Sequence, residues 1–200
     1  AGVRTVSVDA TDLDAVRAAL EARRPRAVLV ETLSNPLLRV ADVPALADAA
    51  HGARAALIVD STFTSPYLIR PHEHGADFVV HSATKYLGGH GDALGGVVST
   101  DEDRLHDLRA VANIGGAVLG PFEATLLARG LQTLHLRMAR QCESALRIAG
   151  WLGTRAEVER VYYAGLPEHP GHDVAGRLFG SRGFGGLLSF DLRGADRAGA

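Results

Sequence analysis

Three things are scarce in this chain, and each absence excludes something. Cysteine occurs once, as Cys142. No disulfide can form within the chain, which fits a reducing compartment and sets cytoplasmic localisation as the expectation. No apolar run approaches the ~20 residues that cross a bilayer. The opening residues, AGVRTVSVDATD, lack the charged and apolar regions of a signal peptide, so no membrane is expected as a partner. An excess of one charge is missing too. A formal net charge of −2 gives no electrostatic case for nucleic acid or an anionic surface. Lysine is the scarcest charged residue: Lys and Arg total 21, yet the chain has a single lysine, Lys85.

What is present is apolar and periodic. With 46% hydrophobic residues, a chain of 200 residues can bury a sizeable core, enough for one domain or one and a half. RAVLVE (26–31), ALIVD (56–60) and DFVVHSA (77–83) read as strands, and ALGGVVST (93–100) as a fourth. The opening residues read as the tail of another strand, and residues 192–200 trail off after one, so both ends look cut; an initiator Met is also missing. Val43, Leu46, Ala47 and Ala50 recur at helical spacing, with Pro44 in the first turn and Gly52 at the end. Residues 101–113 begin with an acidic cap and read as a helix. Residues 121–153 read as a long helical stretch interrupted near Gly130. Alternating strands and helices predict a parallel, doubly wound α/β sheet. VERVYYAGL and GGLLSFDLRG then read as strands of a smaller second layer.

In such sheets ligands bind beyond the carboxyl ends of the strands. Asn35 follows the first strand, Asp60 ends the second, and Lys85 follows the third. A lysine at a strand mouth is expected to be partly desolvated, which favours its neutral, nucleophilic amine. Such an amine can form a Schiff base with an aldehyde. An aspartate on the same rim can keep a pyridine nitrogen protonated, and the Ser82 and Thr84 hydroxyls can bond phosphate oxygens. An aldehyde, a pyridinium and a phosphate together describe pyridoxal 5'-phosphate, PLP. Each residue also has a plainer reading. A lysine is most often a solvated charge, Asp60 can be a helix cap or a magnesium or ribose ligand, and Asn35-Pro36 is a common turn initiator. Cys142 reads as a core residue. His81 and His90 lack the spacing of a metal site. GGHGDALGG does not supply the Gly-x-Gly-x-x-Gly context of a dinucleotide fold.

The combination is more specific than its parts. Residues 28–50, 57–71 and 75–98 resemble the central segments of the Cys/Met-metabolism, or transsulfuration, PLP enzymes, and the likeness continues through 120–141 to 186–194. Ser-x-Thr-Lys followed by an aromatic and a Gly-His-Gly turn carries most of it. The resemblance implies the aspartate-aminotransferase-like fold type I: a mostly parallel sheet flanked by helices, then the start of a smaller α+β domain. Residues 1–133 would belong to the PLP-binding large domain, and 134–200 to a linking helix and an incomplete small domain. It implies that Lys85 holds PLP, that Asp60 faces the pyridine nitrogen, and that Ser82 and Thr84 bind the phosphate. It also implies that Asn35 lies by the ring hydroxyl and the substrate carboxylate, and that Ser189 lies near the lysine amine.

The activity implied is C–S bond cleavage or formation at Cγ of a small amino-acid substrate, of the cystathionine γ-synthase, cystathionine γ-lyase or methionine γ-lyase type. Cystathionine β-lyase and O-acylhomoserine sulfhydrylase are the alternatives within the class; a truncated, non-catalytic subunit partner is the alternative outside it. The implied assembly is a homo-oligomer, a dimer of dimers with shared active sites. Family members are longer than this chain. Their glycine-rich phosphate loop, stacking aromatic, N-terminal Tyr and Arg and downstream substrate arginine have no matched positions here. Two further departures are Ser61-Thr62, where Asn-Thr is usual, and Tyr163-Ala164-Gly165, where Tyr-Pro-Gly is usual.

Overall fold

The computed structural model describes residues 2–194. Among them, strands β1 (Ala27–Glu31), β2 (Ala56–Asp60), β3 (Phe78–Ser82) and β4 (Gly96–Thr100) form one sheet in that spatial order. β1, β2 and β3 run parallel, with Glu31 opposite Asp60 and Asp60 opposite Val80. β2 alternates between buried Leu57 and Val59 and half-buried Ile58 and Asp60, so one face of this strand is fully buried and the other only partly. The sheet departs from the expected all-parallel winding at β4, which is antiparallel to β3. Residues 83–95 form only turns, and a parallel return needs a longer crossover, usually a helix.

Helix α1 (Leu13–Arg23), capped by Asp12, has no counterpart in the sequence reading. Residues 2–9 are outside any strand, contrary to the strand tail expected there. Helix α2 (Val43–Gly52) is as expected: Val43, Leu46, Ala47 and Ala50 all turn into the core. A short helix α3 (Ser65–Leu68) follows β2, and α4 (Glu102–Gly115) begins on the cap of Asp101. The long helical stretch divides into α5 (Pro121–Leu131) and α6 (Leu134–Gly153), so the break falls at Gln132 and Thr133, just after Gly130. Along α6, Leu134, Met138, Cys142, Ala145, Ala149 and Leu152 are buried at steps of three and four, the period of one helix face. The first three join the core under the sheet. Ala145 and Ala149 join a second cluster with Leu38 and Tyr163. Strands β5 (Val158–Tyr162) and β6 (Ser189–Leu192) form a separate antiparallel pair, with α7 (His172–Phe179) between them in sequence.

The amino end of the sheet is fastened by Asp77, the residue before β3. Its carboxylate accepts the Leu57 N–H at 2.7 Å, His51 Nε2 at 3.0 Å and the Arg104 guanidinium at 2.8 Å. One side chain thereby joins β2, α2 and α4. Burial opposes its ionisation, but the Leu57 N–H, His51 and Arg104 outweigh that and hold the carboxyl below its ordinary 3.8. A carboxyl lowered in the folded state stabilises the fold fully above the unfolded value, and the contribution fades as pH falls through the lower folded value. Asp77→Ala is therefore expected to cost about 1.5–3 kcal/mol at pH 7. Urea unfolding should show that loss shrinking below about pH 4; an unchanged urea midpoint at pH 7 would contradict the role.

Candidate active site

Because β1, β2 and β3 are parallel, their carboxyl ends share one edge of the sheet. Hydrogen bonds tie that edge together residue by residue. The Thr32 N–H, just past β1, donates to the Asp60 carbonyl at 3.0 Å. The Thr62 N–H donates to Asp60 Oδ1 at 2.9 Å, an Asx turn that fixes the carboxylate against its own backbone. The Ser82 N–H, at the end of β3, donates to Thr62 Oγ1 at 2.8 Å. Beneath this rim lies a buried hydroxyl cluster: Thr64 bonds Thr32 at 2.8 Å and Ser61 at 2.7 Å. Ser61 therefore has a local partner.

Asp60 is half-buried, and its Oδ2 has no hydrogen-bond partner among the described residues. Beside it, His81 is buried, and its Nδ1 likewise lacks a partner. Burial pushes the imidazole below its ordinary 6.5, more strongly than Asp60 and the Ser61 backbone draw it up. Burial thus favours the neutral imidazole. Among the described residues no three His, Cys, Asp or Glu side chains are grouped to hold a metal, and His90 Nδ1 is spent on the Gly88 carbonyl at 2.7 Å.

Ser82 ends β3 half-buried, and its hydroxyl has no hydrogen-bond partner among the described residues. Thr84 is differently placed. Its hydroxyl accepts the Gly95 N–H at 3.0 Å and donates to the Gly95 carbonyl at 3.3 Å, joining the lysine turn to the entry of β4. Its one proton is therefore committed within the chain, and a phosphate role requires that proton to turn away from Gly95. Lys85 follows in a compact turn. Its N–H bonds the Ser82 carbonyl at 3.1 Å, and the Gly88 and Gly89 N–H groups bond the Ala83 and Lys85 carbonyls, each at 2.8 Å. The side chain is exposed, so this chain does not supply the desolvation expected of a strand mouth. The turn lies at the end of an outer pair of strands, β3 and β4.

Asn35 is exposed in the loop after β1, and its peptide bond to Pro36 is cis. Ser189, at the start of β6, donates its hydroxyl to the Pro36 carbonyl, so the structure brings the Asn35 loop and Ser189 together. The lysine turn approaches the same segment: a Cβ on Gly186 would lie 3.1 Å from the Tyr86 hydroxyl. Asp60, Ser82, Thr84 and Lys85 thus share the rim of β2 and β3, while Ser189 meets the loop that carries Asn35.

The sequence reading did not assign Thr62, whose signal is its place two residues after an aspartate, the spacing of an Asx turn. It did not assign Arg137 either, which lies between the buried Leu134 and Met138 and reaches the Tyr86 carbonyl at 2.8 Å. The donor set fits a PLP-type group on three counts. Lys85 offers an exposed amine, Asp60 offers an uncommitted carboxylate oxygen, and Ser82 offers a hydroxyl with no internal partner.

Comparison with known proteins bears on that set. The family profile described as Cys/Met metabolism PLP-dependent enzyme matches residues 1–199. The chain is 47% identical over 197 residues to cystathionine gamma-synthase of Mycobacterium tuberculosis, covering 98% of this chain and 50% of that protein. It is 42% identical over 201 residues to L-methionine gamma-lyase of Fusobacterium nucleatum subsp. nucleatum, covering 99% and 50%. The crystal structure of cystathionine gamma synthase from Xanthomonas oryzae pv. oryzae in complex with cystathionine superposes with a TM-score of 0.91 at 43% identity, over 96% of this chain and 49% of that one. The chain spans about half the length of the curated relatives it matches. A match over nearly every residue, with the fold reproduced, means that the chain belongs to the Cys/Met-metabolism family of PLP-dependent enzymes.

Proposed function

We propose that this chain carries the cofactor-anchoring part of an enzyme that forms or cleaves a C–S bond at Cγ of a small amino acid, by γ-replacement or γ-elimination. The observation that carries this reading is the rim itself. The chain's single lysine follows β3, Asp60 ends the neighbouring β2, and Thr62 joins the two strand ends by hydrogen bonds at 2.9 and 2.8 Å. Proteins at 39–47% identity carry cystathionine gamma-synthase, cystathionine gamma-lyase and methionine gamma-lyase names, which supports the γ-position chemistry.

When bound, PLP supplies an aldehyde for a lysine amine and a cationic ring that acts as an electron sink. In this reading Lys85 Nζ would hold it, and the same amine, when free, would move protons between Cα, Cβ and the leaving group of the substrate. Asp60 Oδ2 would hold the pyridine nitrogen in its protonated, charged form. Ser82 Oγ would hold the phosphate, and Thr84 Oγ1 would do so only with its proton turned from the Gly95 carbonyl. Asn35 and Ser189 orient the substrate from the side of the β1 loop. We assign residues 1–133 to the large domain and 134–200 to the linking helix and small domain, in keeping with α6 running between the main sheet and the β5–β6 pair. The lone buried thiol of Cys142 fits a cytoplasmic protein.

A buried dianionic phosphate needs a cation, and the rim offers hydroxyls and one lysine. The exposed apolar residues Val97, Val98, Val111, Ile114, Val118 and Phe122, on β4, α4, the approach to α5 and its first turn, also indicate a surface covered in the assembled protein. We therefore propose a homo-oligomer, a dimer of dimers, in which a neighbouring subunit completes each site.

Asp60→Ala in the full-length protein is expected to lower ketoacid release on the order of 10²–10³-fold, through loss of a preorganised charge partner; unaltered turnover would remove the carboxylate from the ring nitrogen. Ser82→Ala should loosen PLP roughly tenfold to a hundredfold, from about 1.5–3 kcal/mol per hydrogen bond to a charged group, as read by cofactor titration; equal affinity would take Ser82 off the phosphate. Sedimentation should find the active species as a tetramer, and a fully active monomer would refute the shared site.

A further inference from the structure

Lys85 is exposed, yet the backbone of its turn is closely held, and one side chain outside the rim does much of the holding. Arg137 lies in the first turns of α6. Its guanidinium donates to the Tyr86 carbonyl at 2.8 Å, to the Gly130 carbonyl at 2.8 Å and to Thr133 Oγ1 at 3.0 Å. Tyr86 is the residue after Lys85. Gly130 and Thr133 flank the break between α5 and α6, where carbonyls and hydroxyls are left without helical partners. The fork thus spans two pieces of irregular backbone and fastens one to the other.

The packing around it leaves little freedom. Gly89, at φ +76°, lies so close to Arg137 that a Cβ there would sit 2.2 Å from a guanidinium nitrogen. A Cβ on Gly130 would sit 2.2 Å from the Gly88 carbonyl oxygen and 2.8 Å from that of Leu87. Backbone therefore lies against backbone where α5 meets the lysine turn, and Leu87 and Leu127 are buried there. Arg137 makes no ion pair with a described carboxylate; its donors go to two carbonyls and a hydroxyl. An arginine kept for solvation would extend outward, as Arg140 does one turn later on the same helix, where it pairs with Glu143 on the surface.

We propose that Arg137 is the positioning residue for Lys85, clamping the Tyr86 carbonyl so that the lysine side chain swings from a fixed backbone. The proposal rests on the reading of Lys85 given above and adds a residue to it. An amine that must first attach to a cofactor and later carry protons among several substrate atoms needs a mobile chain on an immobile base. A misplacement of about 1 Å from a remote change can cost on the order of 10²-fold in rate. Lysine cannot replace the fork, because an ammonium on a flexible stem does not span three acceptors in a plane.

The test uses the full-length protein and the variants Arg137→Met, Arg137→Lys and Arg140→Met. Amide exchange is measured without cofactor at Gly88 and Gly89, whose N–H groups close the turn. We expect Arg137→Met to speed exchange there about tenfold, from loss of a hydrogen bond of roughly 1.4 kcal/mol, while the β2 amides stay as they are. With cofactor, kcat should fall tenfold or more while KM stays within about threefold, as loss of an interaction that serves only the reacting geometry requires. Arg137→Lys should fall between Arg137→Met and the parent, and Arg140→Met should match the parent in both measurements. The proposal is overturned if Gly88 and Gly89 exchange in Arg137→Met stays within twofold of the parent. It is overturned as well if every amide speeds up equally, in Arg137→Lys as in Arg137→Met, because Arg137 then only stabilises the fold. The exchange experiment contains no PLP, so it stands apart from whether Lys85 holds the cofactor.

Discussion

The hydrogen bond from the Ser82 N–H to Thr62 Oγ1 is the constraint on which the candidate site depends. Parallel strands bring Asp60 and Ser82 to one edge of the sheet, but ladder bonds stop where strands stop. Beyond that point each chain would be free to diverge. Thr62 prevents this by facing both ways: its N–H holds Asp60 Oδ1 and its hydroxyl receives β3. The carboxylate and the lysine turn therefore hold a common frame. The buried hydroxyls of Thr32, Ser61 and Thr64 support the frame from below, each with a partner at 2.7 or 2.8 Å. Paired in this way, buried polar groups specify one arrangement rather than destabilise the fold.

The lysine turn divides rigidity from mobility. Its backbone is closed by the Gly88 and Gly89 N–H groups and lies against Gly130, while the Lys85 side chain is exposed. His81, buried and shifted by that burial toward its neutral form, adds little positive charge to compete with a cationic ring for Asp60. The chain uses arginine for its other basic positions, so the one primary amine on a side chain is the one at the strand mouth. Within this chain, that scarcity makes Lys85 the one side chain on which the proposed carbon–nitrogen link can rest.

Much of this was legible in the sequence, and what was not has physical reasons. Helix α2 shows itself because Val43, Leu46, Ala47 and Ala50 repeat with the helical period and Asp42 and Pro44 mark its start. β2 shows itself as an apolar run ended by a charge. The direction of β4 was not legible, since an apolar run pairs equally well either way and only the turn content of 83–95 decides. Helix α7 was hidden because glycines and histidines surround its short apolar face of Ala175, Leu178 and Phe179. Lys85, Asp60 and Ser82 stand out by residue type at strand ends. The commitment of Thr84 to Gly95 and the reach of Arg137 across the α5–α6 break depend on which loops meet in space. The expected desolvation of Lys85 was inferred from its place after a buried strand, whereas exposure depends on what covers the turn.

The central claim is that this rim holds PLP through Lys85, and borohydride reduction of the cofactor-loaded protein tests it most directly. Reduction turns the carbon–nitrogen link into a stable bond, and peptide mass mapping then locates it. The account predicts one phosphopyridoxyl group on the peptide that contains Lys85, in a ratio near one per chain. A yellow, active protein whose Lys85 peptide stays unmodified after reduction would contradict it.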